Sequence, residues 1–109
     1  MNAKGMIVVL TMVSGALGRS FFQSLVTDGK ISQGELDGTR NNLAAVLATL
    51  RNTPSDKIEA MVAQYDNQLS EHLDKFNAGW EQDQLGGFRN AQIMAGYVST
   101  IMAKSGLGE

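Results

Sequence analysis

Few side chains in this sequence could do chemistry. There is no cysteine and a single histidine, His72, so disulfides, zinc fingers, iron–sulfur ligation and thiol catalysis are excluded. A transition-metal site at His72 would need carboxylates at helical spacing. Glu71, His72 and Asp74 do not share one helix face, so a solvated surface histidine is expected. Serine and threonine are plentiful, but one histidine gives no basis for a Ser-His-Asp arrangement. Gly86-Gly87 is no phosphate loop, since neither a preceding strand nor a following Lys-Ser/Thr accompanies it. The acidic pair that brackets a turn, Asp28 and Glu35, is the remaining candidate, as oxygen ligands for a cation.

That turn runs Asp28-Gly29-Lys30-Ile31-Ser32-Gln33-Gly34-Glu35-Leu36. It resembles the second half of a calcium-binding helix-loop-helix (EF-hand) loop, in which glycine makes the sharp turn, isoleucine packs, and a closing glutamate ligates the ion. The positions of that loop's first and third ligands hold Ser24 and Val26. The same stretch resembles the Asp-Gly-x-Ile-x-x-x-Glu-Leu turn of TerB-like tellurite-resistance domains. This resemblance implies an all-helical fold with Asp28 and Glu35 as metal ligands, whereas the family's further acidic residues have no counterpart before Asp28. Read from local physics alone, the stretch is a helix boundary. Gly29 can take the left-handed conformation that ends one helix, Ser32 and Glu35 form a capping box for the next, and Ile31 pins the turn to the core.

The elements that would position these residues are helices, because apolar residues recur at three- and four-residue steps and no sustained alternation marks a strand. Four helices are expected, at about 3–27, 33–51, 54–77 and 88–104. The second has the stripe Leu36, Leu43, Val46, Leu47 and Leu50, with Arg40, Asn41 and Arg51 off it. The only proline, Pro54, is placed at the start of the third, whose stripe is Ile58, Met61, Val62, Tyr65, Leu69, Leu73 and Phe76. Residues 80–87 read as a loop or a short helical turn. The fourth helix should bury Ile93, Met94, Tyr97, Val98, Ile101 and Met102, and Met12, Met61, Met94 and Met102 suit core gaps or a pliable contact surface. The acidic Asp66, Glu71, Asp74, Glu81 and Asp83 form a solvated face.

The first helix departs from this plan. Met6 to Val13 is apolar apart from Thr11, and Ala16, Leu17, Phe21, Phe22, Leu25 and Val26 extend the run in every direction around the helix, so something must cover most of its circumference. Thr11, Ser14, Gly15 and Gly18 form a small-residue seam that would admit another helix backbone. Beside the seam runs a ridge of Ile7, Leu10, Leu17, Phe21 and Leu25. Three roles fit: the central helix of a bundle, a secretory signal peptide over residues 1–18 with Lys4 at its charged start, or insertion into a membrane or a neighbouring subunit. A simple transmembrane span is disfavoured, because Arg19 interrupts the run well short of about 20 residues. Trp80, between Gly79 and Glu81, is either a lid on the bundle end or an interface anchor.

Composition narrows the class. The chain has 109 residues, nine basic against eleven acidic side chains, a formal charge of −2 and 43% apolar residues. This fits one small ordered domain. The balance argues against a nucleic-acid partner, which selects a basic face. The expectation is an all-α, four-helix bundle-like domain with a strongly apolar N-terminal helix and no cofactor. Its function is expected to be that of a non-enzymatic structural or interaction subunit. The first helix and the interface residues Thr11, Ser14, Gly15, Gly18, Phe21 and Trp80 would pack in a homo-oligomer, a larger assembly of virion or phage-like type, or at a membrane. Such a location is favoured over the free cytoplasm. A metal-binding domain using Asp28 and Glu35, and an exported protein, are the alternatives.

Overall fold

A computed structural model describes residues 3–18, 20–79 and 84–107. The fold is all-α, with no strand among the described residues. The helices are α1 (Ala3–Leu17), α2 (Ser20–Thr27), α3 (Gln33–Arg51), α4 (Ser55–Gly79) and α5 (Gln84–Lys104). α1 packs on α3 and α4, and α5 also packs on α3 and α4. The order around the bundle is therefore α1, α3, α5, α4, with α1 and α5 across the diagonal. The short α2 bridges α3 and α5, where the Phe22 ring meets Phe88 at 6.2 Å between centroids.

The predicted first helix is two. It ends at Leu17, and Gly18 closes the turn by donating its N–H to the Gly15 carbonyl at 3.2 Å. A Cβ on Gly18 would lie 3.4 Å from that same carbonyl oxygen. An α3 side chain secures the break: Arg40 Nε donates to the Leu17 carbonyl at 2.8 Å. That carbonyl is one of the last-turn groups a helix leaves without an intrahelical donor.

The next boundary follows the local physics. Gly29 has φ +74°, and the amides of Gly29 and Lys30 bond to the carbonyls of Val26 and Leu25 at 3.0 and 2.9 Å, the paired pattern of a Schellman C-cap. Ile31 is buried. The Ser32 hydroxyl caps α3 by accepting from the Glu35 amide at 3.0 Å. The capping box is completed on one side only, because the Glu35 carboxylate turns to Arg89 instead. Gly106, with φ +73°, ends α5 in the same way, and Leu107 folds back into the core.

The α3 stripe is buried as predicted, together with Thr39, whose hydroxyl donates to the Glu35 carbonyl. In α4, Ile58, Met61, Val62 and Leu69 are buried, while the side chains of Leu73 and Phe76 lie outside the described residues. Pro54 precedes α4 as its cap residue rather than its first helical one, its carbonyl accepting from the amides of Lys57 and Ile58. Of the two readings for the stretch before α5, Gly86 and Gly87 take the helical one, in the first turn of α5. Gly87 is buried.

Ile93, predicted to be buried, is 53% exposed. Of the two places open to Met12, a core gap or a contact surface, the core is excluded, since Met12 is 63% exposed. Within the chain α1 is not enclosed on all sides, since Val8 and Met12 are exposed. α5 buries Phe88, Ala91, Met94, Ala95, Val98, Ile101 and Met102, a face that runs along most of its length.

Candidate functional site

α1 buries one side and leaves the other open. Met6, Leu10, Val13, Ala16 and Leu17 point into the core. Lys4, Val8, Thr11, Met12, Gly15 and Gly18 are exposed, and at about 100° per residue they fall within roughly one third of the helix circumference. Lys4 is the only charge in α1. The Thr11 hydroxyl is turned to its own helix, donating to the Ile7 carbonyl at 2.8 Å. A Cβ on Gly15 would meet nothing within 4 Å, so nothing within the chain requires glycine at that position. Within the exposed strip, the apolar Val8 and Met12 lie beside the small residues Thr11 and Gly15. Ser14 is half-buried at its edge. Of the other predicted interface residues, Trp80 and the side chain of Phe21 lie outside the described residues, as does Arg19.

The acidic pair is arranged differently from a cation loop. Asp28 is exposed on the C-cap of α2, and Glu35 forms an ion pair with Arg89 of α5, Nη1 to Oε2 at 2.9 Å. Arg89 also donates to Gln92. A guanidinium held on the carboxylate competes with any metal for the same oxygens. Among the described residues no group of three or more His, Asp or Glu side chains could hold a metal ion.

His72 is not the solvated residue expected from sequence. It is half-buried, with its ring 4.9 Å from that of Tyr97. Tyr97 meets Tyr65 edge to face at 6.4 Å and donates its hydroxyl to Gln68 Oε1. Burial, and then the neighbouring Tyr65, raise the Tyr97 phenol above its ordinary value of 10.0. This aromatic group holds α4 to α5. It offers no nucleophile activated by a base, and Asn90, further along α5, donates to the Lys75 carbonyl of α4 at 3.2 Å.

Sequence reasoning missed Arg40, Arg89, Gln68 and Tyr97 as positioning residues. Their partners are 23, 54 and 29 residues away along the chain, beyond any local spacing rule. The break in the first helix did leave a signal, since Gly15 and Gly18 are weak helix formers and Ser20 is a residue type that starts helices. Among the described residues no helix is long and apolar enough to cross a membrane. No protein-family model, no curated protein and no solved structure matches this chain.

Proposed function

We propose that this chain is a non-enzymatic structural subunit that associates through the outer face of α1 with a second copy of itself, in a homo-oligomer or a larger assembly built from it. The observation that carries the reading is the open apolar strip of Val8 and Met12, 49% and 63% exposed, lying beside Thr11 and Gly15. Side chains of this kind gain by leaving water, by about 25 cal/mol per Å² of apolar surface covered. Methionine adapts to an imperfect partner surface. Small residues beside it let a second helix backbone come close. A mid-helix glycine costs about 1 kcal/mol relative to alanine, and Gly15 has no contact inside the chain that offsets this. A helix packed on the strip from outside supplies one.

A protein partner fits α1 better than lipid does. Its 15 residues span about 22 Å, short of the roughly 30 Å hydrocarbon core of a bilayer. The test is light scattering on the full-length protein, in plain buffer and in mild detergent, for the native sequence and for Met12→Asp. The expected result is a discrete oligomer in buffer that Met12→Asp reduces to a monomer with unchanged helicity. A monomer across the micromolar range, or an oligomer indifferent to Met12→Asp, overturns the reading. Aggregation in buffer that detergent disperses would replace it with binding at a membrane surface.

A further inference from the structure

α4, Ser55–Gly79, has a kink inside it. Tyr65, near its middle, has φ −117° and ψ 16°, outside helical values, so the ladder is interrupted there. Proline and glycine, the usual causes of such a break, are absent from α4 before Gly79. What lies at the break is the edge-to-face contact of the Tyr65 and Tyr97 rings, and Ala63 to Gln68 line an open surface depression beside it.

The two halves of α4 are held differently. The inner half, up to Gln64, is anchored by the buried Ile58, Met61 and Val62. In the outer arm, residues 66–79, Leu69 is buried in the core, and three described contacts tie the arm to α5. The Tyr97 hydroxyl reaches Gln68, the His72 ring lies on Tyr97, and the Asn90 amide holds the Lys75 carbonyl. These pairs run in opposite directions along the two helices, so α4 and α5 are antiparallel and the arm covers α5 from about Asn90 to Tyr97. Two of the three contacts converge on one side chain, Tyr97.

We propose that α4 is hinged at Tyr65 and that Tyr97 latches its outer arm to α5, so that release of the arm is a local opening distinct from global unfolding. Hinges are a few residues that absorb a backbone change between two rigid segments. Opening would uncover the surface of α5 between Asn90 and Tyr97, where Ala91, Met94 and Ala95 are buried in the closed form. The proposal does not depend on association through α1.

Hydrogen–deuterium exchange of the full chain, read by mass spectrometry, tests it. In the native protein the amides of 66–75 should exchange faster than those of 58–64. Tyr97→Phe keeps the ring on His72 and Tyr65 but removes the hydroxyl donor. It should raise exchange in the arm about five-fold, the effect of one net hydrogen bond, while leaving α3 and the inner half of α4 unchanged. Gln68→Leu removes the acceptor and should do the same. Equal protection along α4 would overturn the hinge. No change in the arm in either variant, or an equal rise over the whole chain, would overturn the latch.

Discussion

Replacing Arg40 with methionine tests how the end of α1 is secured. Arg40 Nε donates to the Leu17 carbonyl at 2.8 Å, and Nη1 lies 3.7 Å from Asp37 one turn earlier on the same helix. The first contact satisfies a partly buried backbone acceptor with a charged donor, worth about 1.5–3 kcal/mol. It also places a cation at a helix C-terminus, for which a few tenths of a kcal/mol are typical at an accessible site. The second is a long, solvent-accessible pair, with the Asp37 side chain 54% exposed, and exposed pairs contribute about 0–1 kcal/mol. Arg40→Met keeps much of the aliphatic stem, so the expected loss of about 2 kcal/mol comes mainly from the Leu17 carbonyl. For a domain of this size that lowers Tm by roughly 9 °C. Urea denaturation followed by circular dichroism measures the loss, with Asp37→Asn as the control for the ion pair. Asp37→Asn should change stability by under about 0.5 kcal/mol. The reasoning fails if the two variants lose equal stability, or if Arg40→Met is neutral.

Two further outcomes follow from burial and from ionisation. Leu10→Ala empties a fully buried site on α1 and should cost about 2–5 kcal/mol, whereas Met12→Ala, two residues away and 63% exposed, should cost under about 0.5 kcal/mol at dilutions where the chain is monomeric; chemical denaturation of both variants checks the contrast. Because the Tyr97 phenol is raised in the folded state by burial and by Tyr65, the folded chain keeps that proton at a pH where the unfolded chain loses it. Its contribution to stability is therefore complete below about pH 10 and is lost as pH rises from there through the folded value; Tyr97→Phe should flatten that part of the stability profile, and an unchanged alkaline slope would refute the assignment.

Most of the secondary structure was legible because its causes are local. The Leu36 to Leu50 stripe, the Ser32 cap and the glycine at position 29 each act within one or two turns of chain, and the structure realises all three. The same locality explains what local patterns leave open or misplace. By residue type the stretch with Gly86 and Gly87 stays open between a loop and a short helical turn, and α5 extends across both glycines, with Gly87 buried beside Phe88. Ile93 is assigned to the core from apolarity and position, yet it is 53% exposed. The reciprocal half of the capping box failed because Arg89, 54 residues from Glu35, offers that carboxylate a charged partner.

The candidate surface divides in the same way. The sequence by itself determined that the chain is helical, that its first helix carries more apolar surface than one buried stripe needs, and that Thr11, Gly15 and Gly18 share a side of it, because periodicity and side-chain type are properties of a few consecutive residues. The tertiary structure alone decided that Arg40 meets the end of α1, that Val8 and Met12 rather than Leu10 and Val13 face outward, and that His72 and Gln68 gather on Tyr97. Which face is covered depends on where α3 and α4 pack, and their placement is set by contacts between residues far apart in sequence, to which local patterns are blind.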